Sequence, residues 1–140
     1  MPSTDSNKQV ARRYLEDFWN GDDVSVIDAL VTPDVTGYPG SGQALQGSEV
    51  FKQRHAALRQ VYSEPHFAVE DLIAEGDKVL LRWSFCGRHS GPIMGAAPTG
   101  KQITVGGMNL FRFVDSKIAE LWVSADDFGE MQQLGVIPGA

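Results

Sequence analysis

The hydrophobic period of this chain changes once, near His66, and that change limits the folds open to it. Upstream, apolar residues recur at helical spacing; downstream they alternate as strands do. Val10, Tyr14 and Phe18 fall every four residues, and Leu15 and Trp19 widen their stripe, so a helix is expected over 5–19. Asp5 or Ser6 can cap it, and Asn20-Gly21 ends it, since both tolerate a left-handed backbone. Asp22 or Asp23 then caps a shorter helix carrying Val26, Ile27 and Leu30, which Pro33 stops. A brief extended piece over 34–38 and a Pro/Gly loop over 39–47 lead to Ser48. Ser48 opens a third helix with Glu49 in its first turn and an apolar face of Val50, Phe51, Leu58, Val61 and Tyr62; Pro65 lies just beyond.

After His66 the pattern is that of hairpins. Residues 66–74 alternate, 75–77 make a tight turn, and 79–85 place Leu81, Trp83 and Phe85 on one face. The stretch 91–100 is rich in Gly and Pro and reads as a loop. A strand over 101–114, a turn at Asp115-Ser116, a last strand over 117–126 and a helical cap over 128–134 complete the chain. Helices gathered before a run of hairpins indicate an α+β fold, with three N-terminal helices on one face of a curved antiparallel sheet. Such a sheet twists, and helices laid across it enclose a concave, cone-shaped pocket.

At 140 residues the chain is expected to form one domain, 1–140. A net charge of -6 with no basic cluster argues against nucleic acid and anionic membrane as partners. Cys86 is the only cysteine, so no intrachain disulfide or cysteine-built metal cluster is expected. The opening Met-Pro-Ser-Thr-Asp does not resemble a signal peptide, and nothing approaches the roughly 18 apolar residues of a membrane span, so a cytoplasmic location is expected. His55, His66 and His89 fall on separate elements, without the paired spacing of metal ligands. The glycines of 91–100 fit no phosphate-binding motif.

Chemistry concentrates at the C-terminal strand. Strict alternation puts Ile118, Glu120, Trp122, Ser124 and Asp126 on one face. Trp122 then walls a pocket beside the Asp126 carboxylate or serves as an ordinary core aromatic. Asp126 is either an acid/base group or the N-cap of the following helix, a task Asp127 could perform instead. A carboxylate walled by Trp and Phe is desolvated, which raises its pKa toward the range useful for abstracting a proton beside a carbonyl. Asn109 interrupts an apolar strand; its amide either holds a substrate oxygen or makes a cross-strand hydrogen bond. Tyr38 and Tyr14 can give a phenol donor to the pocket or bond locally.

Several local patterns add to this. They are Tyr14-Leu-Glu-Asp-Phe-Trp-Asn-Gly-Asp22, Val69-Glu-Asp-Leu-Ile-Ala-Glu-Gly-Asp-Lys-Val79, Gly87-Arg-His-Ser-Gly91, Pro98-Thr-Gly-Lys101 and Phe111-Arg-Phe-Val-Asp-Ser-Lys-Ile-Ala-Glu-Leu-Trp122. Asp126 followed by Gln133-Leu-Gly135 closes the series. In this order the chain resembles the SnoaL-like polyketide cyclases, of the superfamily that shares the nuclear transport factor 2 fold with ketosteroid isomerase and scytalone dehydratase. The resemblance implies a cone-shaped α+β barrel, a homo-oligomer (dimer or tetramer), a largely apolar pocket for a small, possibly polyketide, ligand, and neither metal nor organic cofactor. It also implies an aspartate near the end of the last long strand acting as acid/base in an intramolecular aldol condensation, a position that falls on Asp126. Many relatives carry a His where this chain has Tyr38, so a mechanism needing imidazole there is in doubt.

The reading is therefore a cofactor-independent cyclase. The alternatives are a cofactor-independent hydroxylase, isomerase or hydrolase using the same pocket, and a small-molecule binding module without chemistry. Gln133-Leu-Gly135 is expected to act as a lid or oligomer contact behind the site.

Overall fold

A computed structural model describes residues 3–40 and 42–138. Met1 and Pro2 of the N-terminal stretch, Ser41 of the expected loop, and Gly139 and Ala140 lie outside the described residues.

Helix α1 spans Thr4–Arg13, and its cap is Ser3 rather than Asp5 or Ser6: the Ser3 hydroxyl accepts from the Ser6 N–H at 3.0 Å. It runs on as a wider π-helical turn, Tyr14–Trp19, marked by the Asn20 N–H bonding to the Leu15 carbonyl. The expected stripe is buried here at Tyr14, Leu15 and Phe18. Asn20 ends the helix and uses its amide as a strand would, giving to the Phe67 carbonyl and accepting from the Phe67 N–H, both at 2.8 Å. The second predicted helix is a 3-10 turn, Val24–Ala29, capped by Asp23. Pro33 does not stop it. The chain is already extended at Val31, and Pro33 sits in strand β1 (Val31–Tyr38) where pairing is irregular and its missing N–H is not needed.

The expected loop contains a two-residue strand, β2 (Leu45–Gln46), before helix α2 (Ser48–Val61). Helix α2 passes directly into β3 (Tyr62–Glu75), so this strand starts four residues before the predicted His66, with its register shift between Ser63 and His66. Strands β4 (Lys78–His89), β5 (Gln102–Val114) and β6 (Lys117–Ala125) follow as antiparallel hairpins, and α3 (Asp127–Leu134) closes the chain. Asp115 and Ser116 both take positive φ (50° and 67°), as a two-residue turn matching strand twist demands.

The strand order is β2-β1-β6-β5-β4-β3, with β1 parallel to β6. The fold is α+β as expected, but the barrel is an open curved sheet: among the described residues β2 and β3 remain as edges. Likewise the three N-terminal helices are one α-helix with its π extension, a 3-10 turn, and α2. Helix α1 packs on β3 and β4, and α2 on β1 and β3, so one face of the sheet holds the core. That core includes Phe18, Leu81, Ile103, Phe111 and Leu121.

One irregularity decides which side chains reach the inside. Along β5 and β6 the pairing holds one register from Gly107↔Ala125 to Arg112↔Glu120 and then shifts, with Phe113 opposite Ile118. Ala119 is the extra residue, a β-bulge that reverses the phase of alternation. Ile118 is therefore buried, and after the bulge Leu121, Val123 and Ala125 face inward. The expected single face of Ile118, Glu120, Trp122, Ser124 and Asp126 does not exist.

Candidate functional site

Between the helices and the concave face lies a cavity of about 760 Å³. Its wall is mostly apolar, with Leu15, Phe51, Leu58, Phe85, Val105 and Leu121 among the lining residues. Strand β5 supplies the polar exception. Ile103, Val105, Phe111 and Phe113 are buried on the same side as Asn109, which is 5% exposed. Asn109 Oδ1 accepts a hydrogen bond from Trp83 Nε1 at 3.0 Å. An indole N–H can only donate, so this bond settles which end of the amide is oxygen and turns its NH₂ away from Trp83. That NH₂ has no protein partner among the described residues. Gly107 makes the arrangement possible, because a Cβ there would lie 2.3 Å from the Trp83 ring.

Tyr14 enters the cavity from the π-helical turn, edge-on to Phe111 at 5.2 Å. Burial pushes its phenol up to about 12, against the opposing influence of the Trp19 side chain and the Arg54 charge. It is a neutral donor across the physiological range. Tyr62, also buried, donates to the Glu130 carboxylate, and burial together with that bond raises its pKa well above the usual tyrosine range.

At the start of α3 the two adjacent acids divide differently from the expectation. Asp126 is the cap, with Oδ1 accepting from the Gly129 N–H at 2.9 Å, and its side chain is exposed. Asp127, which the sequence offered as an alternative cap, is also exposed and is among the residues bordering the cavity, as is Glu130 three residues on. Residues three apart share a helix face, which is why these two point the same way.

A family model, SnoaL-like polyketide cyclase, matches residues 9–134. The chain belongs to the SnoaL-like polyketide cyclase family. It is similar to aklanonic acid methyl ester cyclase AcmA of Streptomyces galilaeus, 33% identical over 134 residues and 92% of each chain. Among solved structures it is similar to a proposed SnoaL-like polyketide cyclase from Jannaschia sp. CCS1, with TM-score 0.88 and 25% identity, covering 99% of this chain and 97% of that one. It is also similar to AclR, a proposed hydroxylase of Streptomyces galilaeus, with TM-score 0.86 and 25% identity, covering 99% and 86%.

Within this SnoaL-like scaffold the sequence-derived residues separate into two groups. Asn109 and Tyr14 line the cavity. Trp122 does not; the bulge turns it outward, 37% exposed, where it stacks on Tyr38 with centroids 5.5 Å apart and planes 16° apart. Tyr38 borders the cavity rim, but its hydroxyl is given to Glu120 at 3.1 Å, which raises its pKa. Arg112 holds the same Glu120 at 2.6 Å and lowers the pKa of that carboxylate. Gln133 is anchored to the sheet: its amide pairs with the N–H and carbonyl of Thr104, extending the ladder on β5 past the end of β6.

His55 is buried against Trp19, with Nε2 at 2.9 Å from the Gly21 carbonyl, and His89 is held by Thr99. Among the described residues no group of three or more His, Cys, Asp or Glu gathers as a metal site, and no helix is long and apolar enough to cross a membrane. Arg54 and Glu130 line the cavity without having been singled out, and Tyr62 and Asp127 without having been named as site residues. Arg54 did leave a signal, since it lies on the apolar stripe of α2 between Phe51 and Leu58.

Proposed function

We propose that this chain is a polyketide cyclase-type enzyme that closes a ring in a flat apolar carbonyl compound by intramolecular aldol condensation. A carboxylate at the start of α3 takes a proton from carbon beside one carbonyl. The resulting enolate oxygen is held by the Asn109 NH₂ and the Tyr14 hydroxyl, the enolate carbon bonds to a second carbonyl, and that oxygen takes up the proton. Asp126 is the acid that family resemblance points to; Asp127, an exposed residue among those bordering the cavity, is the one supported by its place in the lining and by Asp126 being taken up in the helix cap.

The observation that carries the reading is Asn109, a buried amide in an apolar wall, oriented by Trp83 with its donors unpaired. A donor fixed where negative charge develops, in a dry cavity, is the arrangement that stabilises an enolate without reorganising. The apolar walls add alignment, which makes ring closure effectively unimolecular. Aklanonic acid methyl ester, the compound in the name of AcmA, is the natural first substrate to try.

The test is incubation of that ester with the protein, followed by mass spectrometry. Ring closure gives a product isomeric with the substrate, and Asn109→Leu should abolish it in a folded protein. The similarity to AclR supports a second reading, hydroxylation in the same cavity, which the experiment separates because the product would gain one oxygen. No conversion of any kind would leave the cyclase reading without support.

A further inference from the structure

Among the described residues two tyrosine–glutamate pairs occur, and they differ in what the second carboxylate oxygen meets. On the outer face of the sheet Glu120 is occupied at both ends: Oε2 accepts from Tyr38 and Oε1 from Arg112. Glu130, on the cavity wall, accepts from Tyr62 through Oε2, and its Oε1 has no partner among the described residues. No lysine or arginine among them pairs with it either. An ionised carboxylate only accepts, at about four lone-pair sites, so most of the capacity of Glu130 is open to a donor brought in by the ligand.

The carboxylate is also held in place. Tyr62 is 2% exposed and its ring lies edge-on to Phe85, with centroids 5.1 Å apart, so the bond to Glu130 is made at the wall rather than in open water. Gln133 ties α3 to Thr104 of β5, and Leu134 is buried, which keeps the helix that carries Glu130 against the sheet. This end of the cavity is set apart from the Asn109 end. Phe85 pairs with Val105, four residues along β5 from Asn109, or about 13 Å of strand. A ligand that reaches both ends needs several fused rings.

We propose that Glu130, held by Tyr62, accepts a hydrogen bond from a hydroxyl of the ligand, and so selects a phenolic ring at the end of the cavity away from Asn109. This rests on the cavity being the substrate site of the proposed cyclisation, and it adds a substrate feature which that reading leaves open. A methyl ether or a bare ring edge has no proton to give. Either would strip water from Oε1 and put nothing in its place, which is what makes a contact of this kind selective.

The experiment measures binding of 2-hydroxyanthraquinone, 2-methoxyanthraquinone and anthraquinone by quenching of Trp19 and Trp83, which line the cavity. Mildly acidic buffer keeps the ligand hydroxyl protonated. The hydroxy compound should bind about tenfold or more tighter than both others, at low and high salt alike because the ligand is uncharged. In Glu130→Leu that ratio should fall to about one. In Tyr62→Phe, which keeps the ring in the core but releases the carboxylate, it should fall severalfold while anthraquinone itself binds as before. Circular dichroism shows whether each variant is folded. Equal binding of the three probes to the parent, no binding of any of them, or a preference that survives either substitution would each overturn the proposal. The readout needs no turnover, so the two readings fail separately. Ring closure without a hydroxyl preference counts against this inference alone, and the preference without ring closure counts against the cyclase reading alone.

Discussion

Trp83 Nε1 donates to Asn109 Oδ1 at 3.0 Å across two neighbouring strands, and both residues are nearly buried. The bond joins the core to the cavity wall. It satisfies the indole, and it fixes which end of the Asn109 amide is offered to a ligand.

Replacing Asn109 with Asp keeps an acceptor for Trp83 but puts a carboxylate where the NH₂ donors were. Turnover should fall by about 10²–10³, the cost of losing one oxyanion donor. Asn109→Leu should lose the same activity and also destabilise the fold by about 1–3 kcal/mol, because it leaves the Trp83 N–H buried without a partner. Steady-state kinetics with urea denaturation of both variants separates the two effects.

Gly107→Ala tests the seat of the indole. A methyl at that position would lie 2.3 Å from the Trp83 ring, so the ring must move or the strand must shift. Overpacking of this kind costs about 1–3 kcal/mol. Thermal denaturation should show the loss, and a shifted Trp emission in the native protein should accompany it.

Tyr14 predicts a pH dependence at the alkaline end. Its phenol is neutral in the fold, raised by burial from 10.0 to about 12. The contribution is therefore complete below pH 10 and is lost as pH rises toward 12, amounting to roughly 3 kcal/mol at about 1.4 kcal/mol per unit. Denaturation series at pH 9 to 12 should show that decline in the parent and a shallower one in Tyr14→Phe.

Asp126 caps α3, and Asp126→Ala should lower stability by about 1 kcal/mol. Asp126→Asn should hardly do so, since Asn caps as well as Asp does. Asp127 makes no such bond, so Asp127→Asn should leave the melting temperature within about a degree of the parent while removing catalytic turnover.

Much of this fold was legible because long, regular stretches declare their period. The hairpins from β3 to β6 and the stripe through Tyr14 and Phe18 came directly from alternation and helical spacing. Asn109 was legible as well, as a polar residue on an apolar strand face. What could not be read was Ala119. A bulge inserts one residue without any change in residue type, yet it reverses every later side chain, and so Trp122 was placed on the face of Ile118, while Asp126 is found as the cap of α3. The long reach of Tyr62 to Glu130 was equally hidden, since it joins residues 68 positions apart.

The central claim is that a carboxylate bordering the cavity at the start of α3 moves a proton from ligand carbon while Asn109 holds the oxygen. Deuterium exchange into 1-tetralone in D₂O, followed by mass spectrometry, tests it most directly, because the α-protons of that ketone exchange slowly in neutral buffer. The parent protein should accelerate exchange, Asp127→Asn should lose about 10²-fold or more of that acceleration, and Asp126→Asn should keep most of it. Exchange no faster than in buffer, or a rate that survives Asp127→Asn, would contradict the claim.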